Sequence, residues 1–237
     1  MNSAALFDLD GTLIDSAPDI HAAAAAMLRD LSLPELPFSV ARGYIGDGMA
    51  RFVKRALTRQ WRGEPDESLF AKAAERMEFH YARECTVGRR TAQTDSDFGQ
   101  LAGPRGVYEG VAETLSALRR RGVPLACVTN KPARFTAPVL AACGLDEFFS
   151  AVISGDSLPY KKPHPDPLRE ACRRLSAKPE KTWMIGDSPA DKNAAAAAGC
   201  RFAWASYGYH RGDELTRAEK IIYNFADILQ TMESEVI

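Results

Sequence analysis

Two aspartates separated by one residue, Asp8 and Asp10, stand near the start of the chain and are followed by Gly11. They come directly after a short apolar run, and the glycine frees the backbone at that point. The carboxyl ends of strands are where open α/β sheets bind ligands. An isolated Asp-x-Asp pair more often only begins a turn, so these residues alone do not establish a site.

Polar or charged residues follow three further apolar runs: Thr129 with Asn130 and Lys131, then Lys162, then Asp187 with Asp191. In a parallel sheet the ends of successive strands share one edge, so these side chains and the first aspartates are expected to converge. The set combines carboxylates, lysine and small polar groups. Carboxylate oxygens, completed by waters and a phosphate oxygen, suit Mg²⁺. The pattern therefore predicts a site for Mg²⁺ and phosphate.

The elements that must position these residues alternate between short apolar runs and helical patterns, which is typical of a parallel α/β sheet. The predicted strands are 4–8, 125–129, 151–155, 183–187, 202–206 and 221–223. The predicted helices between and after them are 110–121, 134–143, 189–198 and 226–232. Gly122, Gly144 and Gly199 stand where left-handed caps would end the first three helices.

Residues 17–84 interrupt this alternation, because 17–31, 49–61 and 67–84 are each predicted to be helical with no strand between them. An all-helical unit is therefore expected after the first strand. The polar stretch 86–105 lacks either periodicity and is predicted to be a long loop or connector. Gly46-Asp47-Gly48 is either a plain turn between helices or a loop that faces a substrate.

The composition excludes several classes of function. A formal net charge of −1 lacks the basic surplus that nucleic acid or an anionic membrane would require as a partner. No 18-residue uncharged apolar stretch and no leader pattern is present, so a cytoplasmic location is expected. The five cysteines are widely spaced without a Cys-x-x-Cys pair, and we expect reduced thiols with no catalytic role.

The sequence resembles the haloacid dehalogenase superfamily, whose four motifs match Asp8-x-Asp10, Thr129, Lys162 and Asp187 with Asp191 in order. The resemblance covers essentially the whole chain and implies an α/β fold, a Rossmann-like parallel-sheet core with an inserted all-helical cap domain. It places the core in residues 1–16 and 106–237, the cap in 17–85 and a polar connector in 86–105. It also implies Mg²⁺ as the cofactor and a small phosphorylated metabolite as the substrate, for a monomer or homodimer.

Roles follow from the resemblance and the chemistry together. Asp8 would attack phosphorus, and Mg²⁺ would be held by Asp8, Asp187 and the carbonyl of Asp10. The Asp10 side chain would protonate the leaving alcohol and later accept a proton from water. Asp191 is expected to support the site by orienting Lys162 or a metal-bound water.

Phosphate recognition is assigned to residues of the first three motifs. Lys162 and the Thr129 hydroxyl would hold the phosphoryl oxygens, on which charge spreads in a loose transition state. Gly11 and Asn130 are expected to complete the phosphate or substrate site. Arg51 is the cap residue predicted to contact the substrate, and Arg42 and Lys54 are the other candidate cations near the glycine loop of the cap.

Dehalogenase and phosphonatase members of the superfamily lack an aspartate at the position of Asp10. The resemblance therefore implies a phosphate ester, whose leaving alkoxide needs a proton whereas a halide does not. Within the superfamily the chain is most similar to the bacterial phosphoglycolate phosphatases, although 88–105 is longer and more polar than in that subgroup. Phosphatases for sugar phosphates or nucleotides remain alternatives. A β-phosphoglucomutase-type mutase is disfavoured because Ile20 stands where that subgroup has a histidine and His21 is one place away. A non-catalytic binding protein is the remaining hypothesis.

Overall fold

Six parallel strands form a single sheet in the computed structural model, which describes residues 3–87, 106–210, 215 and 218–233. The strands are β1 (Ala4–Phe7), β2 (Leu125–Val128), β3 (Ala151–Ile153), β4 (Thr182–Gly186), β5 (Arg201–Ala205) and β6 (Lys220–Ile222). Their order across the sheet is β3-β2-β1-β4-β5-β6, and every neighbouring pair is parallel. β1 is therefore central, with β2 on one side and β4 on the other.

The helices described by the structure are α1 (Ala17–Asp30), α2 (Phe38–Gly43), α3 (Met49–Thr58), α4 (Glu67–Val87), α5 (Val111–Arg120), α6 (Ala133–Cys143), α7 (Asp166–Arg174), α8 (Pro189–Ala198) and α9 (Asp227–Glu233). Helices α1 to α4 occupy the chain between β1 and α5, and no strand is described within 17–87. The expected all-helical insertion after the first strand is thus present.

Alternate residues of the strands point into two apolar cores, one on each face of the sheet. Ala5 and Phe7 of β1 belong to the core that also contains residues of α5, α6 and α9 and of the inserted helices. Ala4 and Leu6 of the same strand belong to the core covered by α7 and α8. Burial on both faces explains why β1 is apolar throughout rather than alternating. The predicted α/β, Rossmann-like fold is confirmed.

Several predicted element bounds require correction. The helix predicted for 49–61 ends at Thr58, because Arg59 has a left-handed backbone with φ of 55°. The helix predicted for 67–84 continues to Val87, so the first two residues of the predicted connector are helical. The rest of that connector, 88–105, lies outside the described residues. Helix α2 has six residues, too few for a clear apolar period, and the sequence analysis did not predict it or α7.

The other predicted bounds agree with the structure to within one residue, except that the strand predicted for 151–155 ends at Ile153. Gly144 and Gly199 have left-handed backbones and cap α6 and α8, as predicted. Helix α5 instead ends at Arg120, and Gly122 follows it with φ of 73°. In the described ranges, no helix has both the length and the apolar character needed to cross a membrane.

Substitutions at two glycines next to α8 compare the free-energy cost of steric crowding with the free-energy cost of backbone strain. A Cβ on Gly186, at the end of β4, would lie 2.5 Å from Asp191 Oδ2, whereas a Cβ on Gly199 would meet no atom within 4 Å but would require φ of +79°. We expect Gly199→Ala to lower the unfolding free energy by about 1 kcal/mol. Gly186→Ala should lower it by about 3 kcal/mol, because the buried carboxylate must move. Urea unfolding measures both, and a smaller loss for Gly186→Ala would contradict the proposed crowding.

Candidate active site

The carboxyl ends of four strands carry the side chains that the sequence analysis singled out. Asp8 follows β1, Thr129 follows β2 and Asp187 follows β4. Lys162 lies in the loop between β3 and α7. All four are buried, with at most 6% of any of them exposed. The central position of β1 brings them together, because its two neighbours in the sheet end beside Asp8.

The ammonium group of Lys162 makes three short contacts at the centre of this group. Its Nζ lies 2.9 Å from Asp8 Oδ1, donates to Asp191 Oδ1 at 2.6 Å and donates to the Val128 carbonyl at 2.5 Å. Burial alone would lower the pKa of Lys162, but the carboxylates of Asp191 and Asp8 raise it above its usual value. Lys162 is therefore a fixed positive charge.

Helix α8 fixes the orientation of Asp191. Ser188 is the N-cap of this helix, and its hydroxyl accepts from the Asp191 backbone N–H while Asp191 Oδ2 accepts from the Ser188 N–H at 3.1 Å. This capping box satisfies two backbone donors at the start of the helix. Asp191 Oδ2 also accepts from the Ser188 hydroxyl at 2.6 Å. The carboxylate of Asp191 is thus held between a helix N-terminus and Lys162.

Three carboxylates crowd one edge of the sheet, where Asp8, Asp187 and Asp191 each place an oxygen within 4.8 Å of the others. Burial raises the pKa of Asp8 to about 8. Lys162 opposes this rise, and the carboxylates of Asp191 and Asp187 add to it. Burial and then Asp191 raise the pKa of Asp187 to about 7. A divalent cation would remove this repulsion. The oxygen donors fit Mg²⁺.

Close backbone approach holds Asp187 in place. The backbone N–H of Tyr209 donates to Asp187 Oδ2 at 2.7 Å. Gly11, which has φ of +86°, runs so close that a Cβ there would lie 2.5 Å from the same oxygen. Gly11 was predicted to bind phosphate, and the structure places it against a carboxylate of the expected metal site.

Asp10 points toward a different partner from Asp8. Both of its carboxylate oxygens accept from Lys131 Nζ at 2.8 Å, and Oδ1 also accepts from the Ser16 hydroxyl at 2.5 Å. Its carboxylate is not among the three that crowd the expected metal site. Lys131 was expected at this edge of the sheet, because it directly follows Thr129 and Asn130 after the second apolar run. No pattern in the sequence pointed to Ser16.

Asn130 connects the core to the cap loop rather than pointing its amide N–H groups into the site. Its Nδ2 donates to the carbonyls of Gly46 at 3.0 Å and Lys162 at 2.9 Å. Two neighbouring carbonyls of the same loop also have core partners, since His210 contacts Ile45 O at 2.7 Å and Lys161 donates to Asp47 O at 2.5 Å. The glycine-containing loop is therefore tied to the core beside the sheet edge, and the alternative in which it faces a substrate stays a prediction.

A cavity lies between the sheet edge and the inserted helices. Its core side includes Asp8, Asp10, Thr129 and Lys131. Its cap side is mostly apolar and is lined by Ile20, Ile45, Gly46, Gly48, Met49, Phe52, Met77 and Tyr81. Among the described lining residues, Lys131 is the one with a positive charge.

The three candidate cap cations have protein partners in this structure. Arg51 and Lys54 both pair with Glu64 on the exposed side of α3. Arg42 donates to the carbonyl of Gly208 at 2.9 Å and lies over the ring of Tyr209. None of the three lines the cavity described above. The predicted contact between Arg51 and the substrate would require Arg51 to leave Glu64.

The chain combines a parallel α/β sheet, buried carboxylates at the edge of that sheet and a helical cover after β1. This combination defines a class of enzymes that act in the cleft between the sheet and its cover. The chain belongs to the haloacid dehalogenase-like hydrolases, which it matches over residues 3–199. The resemblance stated from the motifs is therefore confirmed, and the fold, including the inserted helical cap, agrees with it.

Similar proteins extend over nearly the whole chain. A phosphoglycolate phosphatase of Nitrosospira multiformis is 43% identical, over 90% of this chain and 86% of the relative. A phosphoglycolate phosphatase of Neisseria meningitidis is 36% identical, over 98% of this chain and 94% of the relative. The crystal structure of a predicted phosphoglycolate phosphatase from Haemophilus somnus superposes with a TM-score of 0.82 at 33% identity, covering 96% of each chain.

The contacts of Lys162 predict a large difference between two lysine substitutions. Lys162→Met leaves Asp8 and Asp191 buried without their cation, and we expect it to lower the unfolding free energy at pH 7 by about 3 kcal/mol. Lys54→Met removes a lysine from an exposed pair with Glu64 and should have a far smaller effect. Urea unfolding of both variants provides the comparison. Equal losses would mean that Lys162 does not neutralise the buried carboxylates.

Proposed function

We propose that this chain is a Mg²⁺-dependent phosphomonoester hydrolase that works through an aspartyl-phosphate on Asp8, with 2-phosphoglycolate as its preferred substrate. The observation that carries the proposal is the convergence of Asp8 with Lys162, Asp187 and Asp191 beneath a cavity. The haloacid dehalogenase-like family and relatives named phosphoglycolate phosphatase support it.

In this proposal Asp8 is the nucleophile. It lies at the end of the central strand and lines the cavity, so one carboxylate oxygen can face a phosphorus atom that enters from the cap side. Its attack on phosphorus breaks the bond to the leaving oxygen, which departs with the electron pair. Lys162 holds Asp8 by its Oδ1 and brings positive charge to the phosphoryl group. The Thr129 hydroxyl, at the end of β2, is the proposed donor to a phosphoryl oxygen.

Asp10 supplies and removes protons in the proposed reaction. As an acid it gives its proton to the leaving alkoxide, which a poor leaving group requires. As a base it then accepts a proton from the water that attacks the aspartyl-phosphate, releasing phosphate and regenerating Asp8. Ser16 and Lys131 hold its two oxygens at the cavity wall.

Asp8 and Asp187, with the carbonyl of Asp10, are the proposed holders of Mg²⁺. Bound there, the ion would offset the repulsion between the carboxylates and the phosphoryl group. Asp191 contributes by holding Lys162 in position, because its own oxygens are engaged by Lys162 and Ser188. Asn130 supports the proposed phosphate site by donating to the carbonyls of Gly46 and Lys162, and Gly11 leaves room for the Asp187 carboxylate.

The choice of substrate rests on the names of the relatives, and the alternatives are other small phosphorylated metabolites such as sugar phosphates or nucleotides. A phosphomutase is disfavoured because Ile20 presents an apolar side chain to the cavity, while His21 is turned to the carbonyl of Leu36 at 2.8 Å. Retention of Asp8, Asp10 and Lys162 disfavours a non-catalytic role.

The remaining parts of the proposal concern organisation and location. We assign residues 1–16 and 106–237 to the catalytic core and 17–85 to the cap, in a monomer or homodimer. A cytoplasmic location is supported by the five buried cysteines, which are thiols rather than disulfides.

Binding of Mg²⁺ should be measurable by thermal unfolding, without an activity assay. At a concentration about 100-fold above Kd, the ion adds about 2.7 kcal/mol to the stability of the folded state and raises Tm by roughly 5 °C or more. Asp187→Asn should lose the shift. Asp146→Asn, at an exposed site away from the carboxylate cluster, should keep it. For a site with a Kd of about 0.1 mM, about 10 mM Mg²⁺ is roughly 100-fold above Kd. A wild-type Tm that is the same in EDTA and at this Mg²⁺ concentration would contradict the proposed metal site.

The substrate assignment predicts that 2-phosphoglycolate gives the highest kcat/KM among simple phosphomonoesters in a phosphate-release assay with Mg²⁺. Asp8→Asn keeps nearly the same volume but lacks the nucleophile, and should retain less than about a thousandth of the activity, a deficit of roughly 4 kcal/mol. A sugar phosphate or nucleotide that outperforms 2-phosphoglycolate would overturn the substrate assignment while leaving Asp8 in its role. Higher residual activity in Asp8→Asn would overturn the covalent mechanism.

A further inference from the structure

Tyr81 is a cap residue whose hydroxyl reaches the core. It lies on α4 and is 1% exposed, and Lys131 Nζ donates to its oxygen at 2.8 Å. Its ring packs edge-on against Phe135 of α6 with the ring centroids 5.1 Å apart. The ring contact holds the hydroxyl in place beside Lys131.

Lys131 joins Tyr81 to the carboxylate of Asp10. The same Nζ atom lies 2.8 Å from each oxygen of Asp10, so its contacts to Tyr81 and to Asp10 must be satisfied together. The Lys131 side chain is only 4% exposed. Its ammonium therefore has three oxygen acceptors within 2.8 Å although the site is buried.

The other described contacts of Asp10 come from the segment that leads into the cap. Ser16 Oγ donates to Asp10 Oδ1, and the Ser16 N–H donates to the Tyr209 hydroxyl at 2.6 Å. Ser16 precedes α1 and Tyr209 follows β5, so neither belongs to the cap helices. Tyr81 is thus the cap residue that reaches Asp10 through a single intervening side chain.

We propose that Tyr81 is a positioning residue for the acid–base step, acting through Lys131 to orient the Asp10 carboxyl group when the cap covers the site. This inference rests on the phosphomonoesterase part of the proposed function and not on the identity of the substrate. When the bond between phosphorus and the leaving oxygen breaks, the Asp10 proton passes to that oxygen and Asp10 becomes a carboxylate. Lys131 then lies 2.8 Å from both oxygens of that anion.

Removal of the Tyr81 hydroxyl frees one donor of Lys131 and allows the ammonium to turn away from Asp10. The loss should then fall on reactions whose leaving group needs a proton. General acid–base catalysis typically contributes 10²–10⁴-fold, and misplacing the acid should forfeit part of it. A contact that merely stabilises the cap would instead slow all substrates alike.

The test uses Tyr81→Phe with phenyl phosphate and p-nitrophenyl phosphate, two esters of similar size that lack a carboxylate. We expect kcat/KM for phenyl phosphate to fall roughly tenfold, while that for p-nitrophenyl phosphate changes less than about twofold, because p-nitrophenolate leaves without a proton. Tyr44→Phe is the matched control in the cap, since the Tyr44 ring packs against Trp61 and does not line the cavity. It should leave both values unchanged.

A double-mutant cycle with Lys131→Met tests the connection through Lys131. If Tyr81 acts through Lys131, adding Tyr81→Phe to Lys131→Met should have almost no further effect on either ester. Should Lys131→Met fail to fold, as judged by its melting curve, the ratio measured for Tyr81→Phe alone decides.

Equal losses on the two esters in Tyr81→Phe, or full additivity in the cycle, would overturn the inference. A wild-type protein that hydrolyses neither ester would overturn the phosphomonoesterase proposal and the inference with it. A wild-type protein that hydrolyses both but prefers a substrate other than 2-phosphoglycolate would refute only the substrate assignment, and the Tyr81 comparison would still hold.

Discussion

The ammonium of Lys162, buried between the carboxylates of Asp8 and Asp191, is the interaction on which the rest of the site depends. Three carboxylates within 4.8 Å of one another at a buried sheet edge would repel strongly without a cation among them. Lys162 neutralises one charge and leaves a net negative pocket, which suits a divalent ion. Its position depends on the backbone as well, because it also donates to the Val128 carbonyl at the end of β2. The sheet, the start of α8 and the loop after β3 must therefore all be in place before this charge can be buried.

Much of the core could be predicted from the sequence because its information is local. The apolar run before Asp8 is buried on both faces of the sheet, and each of Gly144 and Gly199 ends its helix with a left-handed backbone. The convergence of Asp8 and Asp187 followed from one rule, that parallel strands end at a common edge. The prediction missed α2, which is only six residues long, and it ended α4 at residue 84, three residues before its end at Val87.

The partners of side chains were not predictable in the same way, because they are set by residues distant in the chain. Tyr81 and Lys131 are 50 residues apart, and Lys131 and Asp10 are 121 apart. Arg51 shows the same limit. Its position near the glycine loop suggested a substrate contact, but its Nη1 donates at 2.9 Å to Oε1 of Glu64, 13 residues away. His210 had no pattern in the sequence, yet it contacts the carbonyl of Ile45 from 165 residues away.

The arrangement also provides different surroundings for two aspartates that are close in sequence and have different proposed roles, Asp8 as nucleophile and Asp10 as acid–base group. Asp8 is paired with Lys162 from the loop after β3, while Asp10 is paired with Lys131 from the loop after β2. The first pair lies at the carboxylate cluster of the core, and the second contacts the cap through Tyr81. A nucleophile benefits from a partner that stays fixed, because its attack requires one orientation at the phosphorus atom. An acid–base group must give up a proton in one step and accept a proton in the next. Because Lys131 contacts both Asp10 and the cap, it ties the orientation of Asp10 to the covered state of the site, from which bulk water is excluded.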